Sequence, residues 1–390
     1  MSLKAKTYVN AKFYGVIPDG TDKTVQLQRA IDYAISKNIN KVILPAGRIR
    51  IDTGVLIAPK NRAQFLEGFE IIGENIVYGD MPGQTVIEVG KDSFGIAFQR
   101  CKGYRIANIS FYGKNPLWYS YEQTVNDSTD WFNGCRNERL SPHAGIVVDP
   151  FYYLHDTYPG WEHDWPAAGS TSGYIDNCTF RGFVVAIAIK PCGSTGNGDL
   201  IRIEDCTINN CAYGISTGDH QCRSILVNNL TCWGGVKTLF TSYHFGNQMG
   251  NPVEVDGLNV AGGVKYLVCF PYFMNSNGFT FTRMHTETLW SLTDPDQTAM
   301  LRMVIDRSFV DFDPAGGVYN PKIFQGTELI MNGSILTWYD GNPDIPPFEF
   351  DAEQVVFTGS RVDHVVMTDK LTFIRCLLRG RYFDNYANNQ

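Results

Sequence analysis

Charge is the scarcest ingredient of this 390-residue chain, in which Asp, Glu, Lys and Arg together make up 19% of the residues. Disordered segments and long coiled coils depend on solvated charge, so neither describes the chain as a whole. The charge that is present balances to −7 at pH 7. No basic field is left for a phosphate backbone, and nucleic acid is not an expected partner. A run of about 18 apolar residues able to cross a bilayer is also missing, and with it any expected membrane partner. The opening MSLKAKTYVNAKFYG is not expected to act as a signal peptide, lacking the charged-then-apolar stretch and small-residue cleavage site. No CxxC pair and no short dense framework joins Cys101, Cys135, Cys178, Cys192, Cys206, Cys211, Cys222, Cys232, Cys269 and Cys376. Reduced, mostly buried thiols are therefore expected in place of disulfides.

Helical periodicity is confined to one stretch. In TVQLQRAIDYAISK, residues 24–37, Leu27, Ile31, Ala34 and Ile35 share one face and Thr24 is available as a cap. From Lys41 onward the pattern changes to short β-rich runs, KVILPAGRIRI, FEIIG and QTVIEVG, separated by Gly, Pro and Asn. The abundant components are those of a turn-rich β protein, with 38 glycines and 13% aromatic residues.

The body of the chain repeats. IANISFYG from Ile106, IDNCTFRG from Ile175, IEDCTINN from Ile203, VNNLTCWG from Val227, VDGLNVAG from Val255 and FTRMHTET from Phe281 overlay on one template. The template reads apolar, polar, Asn/Asp/Gly, apolar, polar, apolar. Its fourth position, Cys178, Cys206, Leu230, Leu258 and Met284, recurs at intervals of 28, 24, 28 and 26 residues. Looser copies begin at Ile330, Phe357 and Phe373. A period of roughly 25 residues, with a strand, a polar corner and a second strand in each repeat, is what a parallel β-helix requires. Leucine-rich repeats would need an LxxLxL signature and a helix per repeat, and a β-sandwich would show no single period.

The N-terminal segments GVIPDGTDKT (Gly15–Thr24), LQRAID (Leu27–Asp32) and VILPAGRIRI (Val42–Ile51) resemble the opening of the pectate-lyase-like superfamily of right-handed parallel β-helix proteins. The resemblance implies a helix capping the coil, followed by a first rung. It also implies a carbohydrate-active protein: a polysaccharide lyase, a glycoside hydrolase, a uronan epimerase or a trimeric phage tailspike depolymerase. Tyr14, Pro18 and Lys23 depart from the usual cap pattern. The expected fold is thus an all-β, single-stranded right-handed parallel β-helix. Residues 1–40 form the N-terminal cap with its amphipathic helix, and residues 41–390 form the coil with long loops between rungs.

Six of the seven histidines, His143, His155, His163, His220, His244 and His285, fall within one interval that also holds VVDPFYYLHDTYPGWEHDWP. Residues 114–170 have little strand periodicity and read as one or two inserted loops, which on a rigid scaffold are functional or disordered. Trp161, Trp165, Tyr152 and Tyr153 are candidate platforms for sugar rings. The competing reading is an aromatic subunit contact in a trimer.

Alternation places two further sets. If Ile175 and Ile203 face inward, Asp176 and Glu204 face outward from adjacent rungs, and Asn228 and Asp256 continue the column. Carboxylates about 5 to 5.5 Å apart suit retaining glycosidase chemistry and a wider pair suits inversion. Proximity of like charges raises one pKa, as a general acid needs. The structural alternative is a solvated polar ladder.

From the other side of the same rungs come Lys190, then Asp219, His220 and Arg223, then Tyr243 and His244, because IAIK, ISTGDH and FTSYH occupy comparable positions. Asp219 as acid with Glu204 or Asp176 as partner would hydrolyse a glycosidic bond. His220 or Lys190 as base, with Tyr243 as acid and Arg223 neutralising a carboxylate, would instead support β-elimination. Lys190, Arg223, His244, Trp161 and Trp165 are the expected substrate-binding groups. For His220 the structural alternative is a turn hydrogen bond. The spacing of Asp219, His220 and His244 matches no strong metal-ligand motif, so no metal or cofactor is expected, with calcium on stacked carboxylates as the alternative.

The functional expectation is an extracellular or virion-borne homotrimer that cleaves a bacterial-surface or plant-type polysaccharide by hydrolysis. A polysaccharide lyase is the enzymatic alternative, and a noncatalytic carbohydrate-binding or structural β-helix is the alternative of another class.

Overall fold

The computed structural model describes residues 7–61, 63–75, 83–90, 93–113, 143–149, 169–189, 198–217, 222, 224–241, 253–270, 277–295, 297, 301–312, 321–338 and 346–379. Every strand pairing among them is parallel, and each strand pairs with its counterpart one coil further along the chain. Two long sheets result. Sheet A takes two strands from most coils and sheet B takes one.

Register follows the repeat. Ile106, Ile175, Ile203, Val227, Val255, Phe281, Ile305, Met331, Phe357 and Phe373 are successive partners along one column of sheet A. All but Phe373 are buried. Rungs about 4.8 Å apart put each of these side chains on its equivalent in the next coil. Phe111 and Phe180 stack at 5.3 Å between ring centres, and Phe357 and Phe373 at 5.1 Å. Full burial contributes about 1.5–3 kcal/mol per large apolar side chain, so the filled interior carries the stability.

The third template position is the corner between the two strands of sheet A. Asn108, Asn177, Asp205 and Asn229 have φ of 59°, 47°, 51° and 50° there, and Gly257 has 74°. Asn and Asp tolerate this left-handed conformation better than other side-chain-bearing residues. The corners also bond to one another: Asn177 Nδ2 donates to Asn108 Oδ1 (2.9 Å) and Asn229 Nδ2 to Asp205 Oδ1 (3.1 Å). The fourth position then returns to the core. Cys178 and Cys206 are buried and unbridged, as are Cys101, Cys211, Cys222, Cys232 and Cys269, while Cys376 is half-buried and also unbridged. Cys135 and Cys192 lie outside the described residues.

Three details differ from the sequence reading. The helix α1 (Thr24–Ser36) covers the first coil as expected, but Thr24 is its first residue and not its cap. Asp22 Oδ1 takes the Thr24 N–H at 3.0 Å and the Thr24 hydroxyl at 2.6 Å. The copy placed at Ile330 starts one residue later, because Gly333 carries the positive φ of the corner. A further coil, with Ile305 facing inward, is absent from the repeats read above because it departs from the template twice, with Arg307 at the corner and Ser308 in the fourth position. Serine substitutes there by a ladder: the N–H of Met284 donates to Ser308 Oγ, that of Ser308 to Ser334 Oγ, and that of Ser334 to Ser360 Oγ, at 3.0–3.2 Å.

The strand Ala144–Val148 separates the two stretches within 114–170 that are not described, and belongs to sheet B. No described helix is long and apolar enough to cross a membrane.

The corner makes a direct prediction. Asn177→Val should lower the unfolding free energy by about 1–2 kcal/mol, the penalty of a branched side chain in the left-handed region, beyond what Asn177→Gly loses. Urea unfolding of the two variants checks it, and equal midpoints would mean that the corner conformation is not what selects asparagine.

Candidate functional site on the outer faces of the two sheets

On sheet A the outward column contains Asp176, Glu204, Asn228 and Asp256 as successive partners. The structure therefore brings Asp176 and Glu204 onto adjacent rungs. Each is engaged by neighbours. Arg105 Nη2 donates to Asp176 at 2.6 Å, and the Arg105 guanidinium lies 5.4 Å from the centre of the Tyr174 ring. Tyr174 donates its hydroxyl to Glu204 at 2.5 Å, and Asn228 Nδ2 donates to Glu204 at 3.0 Å. The carboxylate acceptor holds the Tyr174 proton in place and pushes its pKa up to about 12. Further along, Arg283 forks onto Asp256 at 2.6 and 2.7 Å.

Sheet B presents different chemistry. Along its length Ala97, Val147, Ala188, Ser216, Thr241 and Cys269 are successive partners. Ile146, Val148, Ile187 and Ile189 belong to the interior cluster, so Val147 and Ala188, which sit between them in sequence, face the other way. They form a second apolar cluster with Phe94, Ala97, Ala144, Val185 and Tyr213. At Ser216 the column turns polar while remaining buried. The hydroxyls of Ser216 and Thr241 are enclosed and have no hydrogen-bond partner among the described residues.

The parallel column, Val185, Tyr213, Thr238 and Tyr266, leads into charged groups. Asp294 Oδ2 accepts from Thr238 Oγ1 at 3.3 Å and faces Lys237 Nζ at 3.5 Å. Lys265 Nζ lies 4.5 Å from the centre of the Trp290 ring. Lys237, Lys265 and Asp294 are 6%, 4% and 3% exposed. Burial first, and then the Lys237 charge, pull the Lys265 amine down to about 8 against the pull of Asp294. Buried ammonium groups on an outer sheet face are unusual, since such residues are rarely enclosed without a task or a partner.

The second cluster read from the sequence follows the C-terminal ends of sheet B strands, whereas Lys237 and Lys265 stand at the starts of theirs. Ile187, Ile215 and Phe240 are register partners, which is the alignment of IAIK, ISTGDH and FTSYH read from the repeats. Lys190, Asp219, His220, Arg223, Tyr243 and His244 themselves lie outside the described residues, as do Trp161, Trp165, Tyr152 and Tyr153. The strands that lead into Asp219 and Tyr243 belong to sheet B, whereas Asp176 and Glu204 stand on sheet A. Sequence reasoning missed Lys237, Lys265 and Asp294. A usable signal existed: Val-Lys opens both VKTLF and VKYLV, 28 residues apart, and Val236 pairs with Val264. Among the described residues no group of three or more His, Cys, Asp or Glu side chains is placed to hold a metal ion.

Lys265 generates a pH prediction. Its pKa falls from 10.5 in the open chain to about 8 in the fold. Between those values the unfolded chain holds the proton and the folded one does not, so stability from this group rises with pH across that window. Below about 8 both states are protonated and the enclosed charge is a constant burden. Lys265→Met should therefore be more stable than wild type at neutral pH, with the gap closing as pH approaches about 10.5. Urea unfolding across that range checks it, and a gap independent of pH would contradict the depressed amine.

No family model and no curated protein matches the sequence. Solved structures do match. The catalytic domain of a GH87 α-1,3-glucanase in complex with nigerose superposes with a TM-score of 0.55 at 11% identity, over 97% of this chain and 66% of that one. The Dettilon tailspike protein superposes with a TM-score of 0.50 at 10% identity, over 96% of this chain and 68% of that one. Likeness at such low identity speaks of architecture, and with the continuous parallel pairing above it gives the conclusion: the chain is a right-handed parallel β-helix.

Proposed function

We propose that this β-helix is a polysaccharide depolymerase that cleaves glycosidic bonds by hydrolysis, working as an extracellular or virion-borne homotrimer. One observation carries the reading. The outer face of sheet B encloses polar groups that a purely structural surface would leave to water: the unbonded hydroxyls of Ser216 and Thr241, and the Lys237–Asp294–Lys265 cluster. Buried groups without hydrogen-bond partners are rare and call for a role. Asp219, His220, Tyr243 and His244 follow two to four residues after Ser216 and Thr241 in sequence. The glucanase and tailspike likenesses support a glycan as the ligand.

In this mechanism Asp219 protonates the leaving glycosidic oxygen, and a second carboxylate activates water or attacks the sugar carbon. Asp176 and Glu204 remain its proposed partners, and Lys190, Arg223 and His244 hold the substrate. Calcium, the alternative to a metal-free site, would bind the stacked carboxylates of the Asp176–Glu204 column. A second reading is β-elimination from a uronic-acid polymer, with His220 or Lys190 as base, Tyr243 as acid and Arg223 neutralising the carboxylate.

Incubation with polygalacturonate, alginate, xylan, α-glucan and bacterial surface polysaccharides tests the proposal. Hydrolysis gives new reducing ends alone, whereas elimination also gives an ultraviolet-absorbing unsaturated product. With a cleaved polymer in hand, Asp219→Asn and Glu204→Gln should each slow cleavage by about a hundredfold or more without shifting Tm. Full activity in both would remove them from the chemistry, and binding without cleavage of any polymer would favour the noncatalytic β-helix. Light scattering should report three chain masses per particle, and a monomer at high concentration would overturn the trimer.

A further inference from the structure

On its later coils sheet A carries a cleft that the depolymerase reading does not use, with a volume of about 590 Å³. One column of the sheet lines it. Arg302, Glu328 and Gln354 are successive partners there, and Lys370 follows on the next rung, where its carbonyl accepts the Val355 N–H at 3.1 Å. Met303, Leu329 and Val355, each one residue after a member of the column, are buried in the interior, so the column faces outward. Glu353 and Asp369 also line the cleft. The outward column two residues along is apolar: Val304, Ile330 and Val356 are half-buried partners, and Thr372, the partner of Val356, borders the cleft as well.

The polar groups of the cleft are within reach of a ligand. Arg302 Nε and Nη2 both donate to Glu328 Oε2, at 2.8 and 2.6 Å, which fixes the carboxylate and leaves its Oε1 with no partner among the described residues. Glu353, Gln354, Asp369 and Lys370 are exposed, and among the described residues their side chains form no hydrogen bond or ion pair. Glu328, Glu353 and Gln354 stand on paired strands, which hold their backbone in register. Three carboxylates and two cations line the cleft, so no strong field of either sign selects a charged ligand. Glu328 is on the fifth rung after Glu204, roughly 24 Å away along the coil, which separates the cleft from the Asp176–Glu204 pair.

We propose that this cleft is an accessory site for a neutral glycan lying along the coil axis. Glu328 Oε1, Glu353, Gln354 and Asp369 bond its hydroxyls, and the Ile330–Val356 stripe meets the C–H face of one ring. Equivalent outward positions recur about every 4.8 Å, close to the length of one pyranose residue, so successive rungs meet successive sugars. Apolar contact beside a few converging polar groups is the general form of a small-ligand site. Sugar hydroxyls donate to carboxylate and amide oxygens without bringing charge of their own. A uronic-acid polymer would set its carboxylates against Glu353 and Asp369, where like charges repel. The site rests on the reading that the ligand is a glycan, but not on whether that glycan is cleaved.

Affinity electrophoresis of the full chain tests it, through gels cast with α-glucan, β-glucan or mannan as neutral polymers and with alginate or polygalacturonate as anionic ones. At least one neutral gel should retard the wild type. In that gel Glu353→Ala and Gln354→Ala should each bind severalfold more weakly, and the double variant at least tenfold more weakly. Thr372→Trp, which places a bulky side chain at the border of the cleft, should match the double variant, and all should keep the wild-type Tm and oligomeric mass. Retardation by alginate or polygalacturonate should not differ between the wild type and the variants. Equal retardation of the wild type and the double variant in the neutral gel overturns the proposal, as does a wild type that no neutral gel retards. So does a double variant that loses its oligomeric mass, which would make the cleft a subunit contact. Retardation that depends on Glu353 and Gln354, with no cleavage of any polymer, leaves the site standing and removes the depolymerase reading. Cleavage of a neutral polymer with unchanged retardation of the double variant does the reverse.

Discussion

The rest of the structure depends on one constraint: each coil must satisfy its backbone N–H and C=O groups on the coil before and the coil after. Unpaired buried backbone groups cost free energy comparable to a lost hydrogen bond, so the register between coils cannot drift. A slip by one residue would turn Ile203 and its whole column outward and bring Glu204 and Asn228 inside. The corner residues answer the same demand. Because Asn177 and Asn229 reverse the chain in the left-handed region, the two strands of sheet A leave the corner in fixed directions, and the amide ladder binds one corner to the next.

Fixed register makes the outer surface a grid, and the two sheets use it differently. On sheet A charges are paired across rungs in partly exposed positions, as in Arg105–Asp176, Arg283–Asp256 and Arg302–Glu328. Such pairs are worth about 0–1 kcal/mol each and add little to a coil already held by its interior. Sheet B encloses Lys237, Lys265 and Asp294, where the loss of hydration for each ion amounts to several kcal/mol before any attraction offsets it. The Lys237–Asp294 contact at 3.5 Å offsets part of that loss.

The sequence was informative where a position had one physical answer. The inward column, the Asn/Asp/Gly corner and the stacked cysteines could be read because each demands a narrow set of side chains. The coil around Ile305 escaped because two template positions depart together: Arg307 stands at the corner, and Ser308 satisfies the interior by hydrogen bonding and not by apolar character. The outward pairing of Asp176 with Glu204 followed from alternation alone, but their engagement by Arg105, Tyr174 and Asn228 did not, since it joins residues up to 71 positions apart. Lys237 and Lys265 were hidden for another reason. A lysine inside an apolar run looks like an exposed residue of an alternating strand, and only the enclosure of sheet B shows otherwise.

The ends of such a coil need their own solution, because the terminal coils have an open side. At the N-terminal end α1 lays Leu27, Ala30, Ile31 and Ala34 across the first coil, and all four are fully buried. At the last described coil the pattern loosens: Phe357 and Val362 are buried, but their partners on the next rung, Phe373 and Leu378, are only half-buried. Stability in a stacked architecture is roughly a sum over neighbouring interfaces, so the middle coils have two supporting neighbours and the last has one. Lys237, Lys265 and Asp294 all lie among the middle coils, where the backbone grid is most strongly held. Enclosed charge is best held there, since a doubly supported coil fixes the backbone on both sides of the groups it carries.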